Sequence, residues 1–264
     1  MKNVFSQVLV VILFLCVSIT KVEAKPTAKN NGYFELKVYH FTNSQQEATV
    51  DSFLQYKYLP FLHAAGYTNI GVFKPIANDT ATDKKIYVFT PFKSLKQWEG
   101  FQKELESADV MTDLNSYYVN VPYNQPAYSR IETIFLKAFD MMPPMAASQL
   151  KGPRSERVYE LRSYEGASEK YHKSKVKMFN EGGEIEIFDR LKFNPVFYSK
   201  VIFGSRMPNL MYMTSFENMK TRDELWKVFF ADPAFKALGA MAEYKNNVSR
   251  NETIFLRSTE FSDL

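Results

Sequence analysis

The segment Arg130-Ile-Glu132-Thr-Ile-Phe-Leu-Lys137 returns as Arg250-Asn-Glu252-Thr-Ile-Phe-Leu-Arg257, with six of eight positions identical. Phe34-Glu-Leu-Lys-Val-Tyr39 is echoed by Tyr159-Glu-Leu-Arg-Ser-Tyr164, and Thr90-Pro-Phe92 by Thr214-Ser-Phe216. Each Thr-x-Phe landmark precedes a helical stretch carrying a tryptophan, Trp98 or Trp226. Three matched landmarks in one order mean a tandem duplication. The chain must then fold as two like units, or as one object built from two.

Each unit reads β-α-β-β-α-β, so the expected fold class is α+β. In the first, Tyr33–His40 alternates as a strand, and Val50, Phe53, Leu54, Tyr58, Phe61 and Leu62 recur at helical spacing. Pro60 should kink or end that helix, and Gly66 should stop it. Strands are expected at 70–76, 85–90 and 131–137, with a helix through Leu95, Trp98, Phe101 and Leu105. The second unit repeats this. Strands fall at 157–164, 196–203 and 210–216, Ser168 is placed to cap a helix, and Asp232-Pro233 is placed to open another. This order is the ferredoxin-like unit. One such sheet leaves a face uncovered, and pairing the two bare faces removes that cost. The reading is of two ferredoxin-like repeats, 33–140 and 157–260, joined by a linker at 141–156 and closing as an intrachain pseudo-dimer around a barrel.

The N-terminus reads as an address. Lys2 precedes an apolar run from Val8 to Ile19, shorter than the ~20 residues that span a bilayer. Val22 and Ala24 supply small residues at −3 and −1, so residues 1–24 are expected to be a signal peptide cleaved after Ala24, with 25–32 a flexible leader. The mature protein is then expected in the periplasm or secreted, with no stable membrane insertion. Cys16 is the single cysteine and would leave with the peptide, which excludes thiol catalysis and a disulfide scaffold. The balance of 33 basic and 29 acidic residues is too even to favour nucleic acid. His40, His63 and His172 are the whole imidazole complement and lack metal-ligand spacing, so neither metal nor cofactor is expected.

The two Phe/Tyr-Glu-Leu strands, Glu181-Gly-Gly-Glu-Ile185, the Gly204-Ser-Arg-Met-Pro-Asn-Leu210 hairpin and the paired Arg-x-Glu-Thr-Ile-Phe-Leu strands resemble the NIPSNAP family, in its exported bacterial form. The likeness runs over residues 33–258. It implies the dimeric α/β-barrel superfamily, whose other families include cofactor-free monooxygenases and haem-handling enzymes. It supplies no catalytic residues.

Alternation puts Glu35, Lys37 and Tyr39 on one strand face, matched by Glu160, Arg162 and Tyr164. The expectation is that these six, with Tyr198 and Tyr212, line the barrel interior, while Leu36, Val38 and Leu161 meet the helices. Such a face either holds a small, partly apolar ligand or ties the repeats together by ion pairs. Glu132 and Glu252 are the candidates for a catalytic base in a cofactor-light monooxygenase or isomerase acting on an aromatic or quinone-like compound; as structural groups they would pair with Lys37 or Arg162. His63 is read as sitting at a helix C-terminus for electrostatic reasons, with haem ligation the alternative. Lys170, Lys173 and Lys177, joined by His172 and Lys175, form a basic stripe read as a solvated helix face. A small molecule, a protein docked on the outer helices, and self-association are the partners left open.

Overall fold

The computed structural model describes residues 32–145 and 148–264. The expected signal peptide, and the leader but for Gly32, lie outside them. Eight strands form the frame: β1 (Tyr33–Phe41), β2 (Gly71–Pro75), β3 (Lys84–Phe92), β4 (Arg130–Ala138), β5 (Val158–Glu165), β6 (Asn194–Phe203), β7 (Asn209–Phe216) and β8 (Arg250–Ser258). Between them run α1 (Ser44–Phe53), α2 (Leu59–Ala64), α3 (Leu95–Ser107), α4 (Asp109–Thr112), α5 (Glu169–Asn180), α6 (Glu184–Arg190), α7 (Met219–Ala231) and α8 (Pro233–Ala240). Among the described residues no helix is long and apolar enough to cross a membrane.

The strands close a barrel in the order β1-β3-β2-β8-β5-β7-β6-β4, every neighbour antiparallel. The first half of the chain contributes the run β4-β1-β3-β2 and the second the run β6-β7-β5-β8; β2–β8 and β4–β6 are the seams. An eight-stranded barrel is just wide enough for side chains to fill, and this one is filled. Phe197 of β6 stacks on Phe89 of β3 at 5.0 Å and leans on Phe34 of β1 at 5.6 Å, across the interior. Phe73 of β2 meets Tyr159 of β5 at 4.8 Å.

The inward set is Phe34, Leu36 and Val38 with Leu161, Met211, Met213 and Leu256, all buried in one cluster. The outward set meets the helices. Tyr39, Ile86 and Val88 pack against Val50, Phe53, Leu54 and Leu62, while Tyr198 and Tyr212 pack against Phe179 and Phe188. This inverts the face assignment made from sequence. Glu35, Lys37, Tyr39, Glu160, Arg162 and Tyr164 lie under the helices, and Leu36, Val38 and Leu161 are inside. The reason is polar satisfaction. The middle of the barrel offers only other strand side chains, so the apolar set goes there, while helices supply donors for buried carboxylates.

Local signals mostly hold. Gly66 ends α2 at φ +83. Asp232 caps α8, accepting from the Ala234 and Phe235 N–H groups at 2.9 and 3.3 Å. Around Pro60 the disturbance comes earlier than expected. Leu54–Tyr58 is a π-turn, with Leu59 N–H reaching back to Leu54 C=O, and Pro60 opens α2 where no partner for its missing N–H is needed. Ser168 stands at the N-cap of α5 in extended conformation; its carbonyl accepts from His172 N–H at 3.0 Å, but its side chain accepts no bond from the helix.

Candidate functional site

One end of the barrel is open. There the inward rows run out into charged residues: His40 at the end of β1, Asp83 and Lys85 at the start of β3, Arg130 and Glu132 of β4, and Glu252 of β8. They surround a cavity of about 240 Å³, roughly eight waters' worth of liquid at ~30 Å³ each. Its floor is apolar, made by Val38, Ile134, Leu161, Met211 and Ile254 with the ring of Tyr87. The β6–β7 hairpin folds Arg206 over the rim, where it pairs with Glu252. Gly204 permits this crossing: its φ is +142, and a side chain there would begin 3.1 Å from the Ile134 Cα on β4.

The strand ends organise one another. His40 Nδ1 lies 2.9 and 3.1 Å from the two Asp83 carboxylate oxygens. Arg130 donates to His40 Nε2 at 3.3 Å and to Glu132 Oε1 at 2.8 Å. A guanidinium only donates, so Nε2 can accept from Arg130 only in the tautomer that carries the ring proton on Nδ1, facing Asp83. Glu132 Oε1 is 3.6 Å from the same Nε2, and Lys85 holds Asp83 at 3.2 Å. His40 and Lys85, with the Asp83 hydrogen bonds they make, hold that carboxyl below its usual range against the opposing effect of desolvation. The Tyr87 phenol is pushed up by burial and then by Glu252, so it stays protonated, a donor at the cavity floor.

The sequence-selected residues divide. Glu132 and Glu252, one from each half, come together at this mouth. Their expected partners were Lys37 or Arg162, and that is corrected: those cations sit on the opposite face of their strands, and Arg130 and Arg206 do the pairing. The other eight are packed elsewhere. Glu35 accepts from Trp98 Nε1 at 2.8 Å and Gln102 Nε2 at 3.0 Å, with Lys37 at 3.6 Å. Glu160, fully buried, accepts two bonds from Arg222 at 2.8 Å, one from Trp226 at 2.7 Å and one from Arg162 at 3.0 Å. Tyr39 meets the Tyr118 hydroxyl at 3.2 Å, and Tyr164 meets that of Tyr212 at 2.9 Å. Burial raises Tyr39, Tyr164, Tyr198 and Tyr212, so all four remain neutral phenols. The cavity expected between Tyr39, Tyr164, Tyr198 and Tyr212 is replaced by helix-layer packing.

His63 turns outward to Asp263 at 3.0 Å, which takes it away from any inward ligand role. The basic stripe is not wholly solvated: Lys175 is buried against Glu184 at 2.8 Å. Among the described residues no group of histidine, cysteine and carboxylates is arranged to hold a metal ion. Sequence reasoning missed Asp83, Arg206 and Tyr87, whose separations in the chain carry no sign of their meeting. Arg130 was within reach, because its i, i+2 spacing from Glu132 puts both on one strand face.

Residues 159–263 match the model of the NIPSNAP family. A search of curated proteins gives no match. Three solved structures span most of the chain. One is a presumed monooxygenase from Lactobacillus acidophilus, with TM-score 0.54 and 13% identity, covering 86% of this chain and 94% of its own. A second, from Fusobacterium nucleatum and of the same description, gives TM-score 0.55 at 6% identity over 86% and 92%. The third, an anthrone oxidase-like protein, gives 0.50 at 8% identity over 88% and 93%. At such identities the likeness establishes fold alone, a mixed α/β chain around an eight-stranded antiparallel barrel.

Proposed function

We propose that this chain, whose residues 159–263 are a NIPSNAP domain, is a tandem duplication closed on itself as an intrachain pseudo-dimer, and that it binds a small, partly apolar ligand at the barrel mouth. The observation that carries the reading is convergence. Arg130, Glu132 and His40 from one half and Arg206 and Glu252 from the other border a single cavity with an apolar floor. A ligand there rests its hydrocarbon part on Ile134, Leu161 and Ile254 and offers its polar end to the rim. Small-molecule sites commonly combine an apolar wall with a few fixed polar groups. The matching sheet orders of the two halves support the duplication.

Native mass spectrometry of the protein from its own source reports the mass of the retained ligand. Arg206→Ala and His40→Ala should each lower its occupancy about tenfold, whereas Tyr164→Phe, in the helix layer, should leave it unchanged. Full retention in an Arg206→Ala/His40→Ala double variant would sink the proposal. Export belongs to the same reading: N-terminal sequencing of the mature protein should begin at Lys25, in periplasm or medium.

A second reading is favoured by the His40 geometry. An imidazole held by a carboxylate on Nδ1 can act as a general base once a substrate displaces Arg130 from Nε2. The protein would then be a cofactor-light oxygenase or isomerase taking a proton from an aromatic or quinone-like compound, in line with the names of its structural neighbours. On that reading His40→Asn should lower kcat by about 10²–10⁴-fold, the usual contribution of a general base. Undiminished turnover would leave binding as the function.

A further inference from the structure

The barrel mouth is built in two levels. At the outer level six strands each line the cavity with one polar side chain: His40 from β1, Lys85 from β3, Glu252 from β8, Ser163 from β5, Asn209 from β7 and Glu132 from β4. Two residues further into the barrel on each strand the lining is apolar, except on β3, where it is Tyr87. The charges of the outer level are already matched. Arg130 pairs with Glu132 at 2.8 Å, Lys85 with Asp83 at 3.2 Å, and Arg206 with Glu252. Ser163 and Asn209 are buried and uncharged, and the serine donates to the amide oxygen at 3.0 Å.

Tyr87 is 4% exposed. The charges that act on its hydroxyl are those of Glu252, Arg206, Asp83 and Glu132, all of which border the cavity, so the hydroxyl points into it and not into the wall. Among the described residues none takes its proton in a hydrogen bond, and, unlike the Tyr58 and Tyr159 oxygens, its oxygen is not closed off from water. Buried hydroxyls are normally paired, and the neighbours of this one at the inner level are aliphatic or thioether side chains. A charged group carried down to that level would leave water with no uncommitted counter-charge to meet it, a cost that an uncharged group avoids.

Resting on the reading of the mouth as a ligand site, we propose that its ligand is uncharged at the inner end and presents there a carbonyl or ether oxygen that accepts from Tyr87. Tyr87 is then the specificity-determining residue, because the other inner side chains make only apolar contact and do not tell an oxygen from a methylene. It also fixes which way round the ligand sits. Val38 faces Tyr87 across β1 and β3, whereas in the second half Ser163 faces Met211 across β5 and β7. The repeat therefore supplies this donor on one side of the mouth and a thioether on the other.

The test uses acetophenone and ethylbenzene, one skeleton with and without the carbonyl, and benzoate as the charged counterpart. Each is titrated against the full chain while the methyl resonances of Ile134, Ile254 and Met211 are followed. Acetophenone should shift all three. Tyr87→Phe, which removes only the hydroxyl, should weaken acetophenone about tenfold, the scale of one hydrogen bond, and ethylbenzene less than about twofold. Benzoate should bind at least about tenfold more weakly than acetophenone. The carbonyl carbon of isotopically labelled acetophenone should move downfield on binding the intact protein, a readout that stands even if Tyr87→Phe fails to fold. Equal loss of both neutral compounds in Tyr87→Phe, no loss of either, benzoate matching the ketone, or an unmoved carbonyl resonance would each overturn the proposal and leave the mouth a ligand site. Silence of the three methyls toward every compound would overturn the mouth reading and the proposal together.

Discussion

Glu160 and Glu252 carry the same charge, yet removing it should have different consequences. Glu160 is sealed beneath α7 and balances Arg162 and Arg222, so Glu160→Gln strands two poorly hydrated guanidiniums; urea unfolding should record a loss of roughly 3–5 kcal/mol. Glu252, 40% exposed on its side chain, pairs with Arg206 in reach of water, and Glu252→Gln should cost about 1 kcal/mol or less. A comparable loss in both would mean that the mouth is drier than its exposure indicates. Glu132 and Glu252 were legible as a pair because the repeat marks them. His40 was visible only as one of three histidines. Its setting between Asp83, Arg130 and Glu132 arises when three strand ends are brought level, which local sequence does not encode.

Turns and connections set where the site can form. Gly204 lets the β6–β7 hairpin pass β4 closely, and Gly204→Ala combines a left-handed φ with a backbone clash at Ile134. It should destabilise by at least about 1–3 kcal/mol in chemical denaturation and displace Arg206 from Glu252. The connection between β4 and β5 offers a pH test: the Lys151 and Gly152 N–H groups donate to the Glu217 carboxylate at 2.8 and 2.6 Å. The Lys151 and Gly152 amides hold the Glu217 carboxyl below its usual value of 4.5. The anchor's contribution is therefore complete above that value and is lost as pH falls through the lower folded value. The Gly152 amide resonance should titrate with a midpoint below 4.5 and lose that titration in Glu217→Gln; a midpoint at or above 4.5 would show that the anchor does not form. The hairpin was legible as a cluster of turn-forming residues. The anchoring of the β4–β5 connection was not, because a linker's anchors are distant side chains.

At the scale of the molecule, closure is the decisive event. Residues 157–264 alone would expose Tyr159, Leu161, Phe197, Met211 and Met213 on a bare sheet face. That fragment should dimerise or aggregate, as light scattering after size exclusion would reveal; a stable, soluble monomer would mean that the sheet does not need its counterpart. The sequence by itself determined the internal repeat of strand motifs, the β-α-β-β-α-β order of each half and the residues that alternate together, because repeats, periodicity and turn chemistry are local properties of the chain. Only the tertiary structure decided which strand face is interior. Alternation separates two faces but ranks them only by what each will meet, and Glu35 and Glu160 found their donors on helices more than 60 residues away in the chain. The same closure that sent those carboxylates outward left Glu132 and Glu252 at the rim, where the barrel ends and water begins.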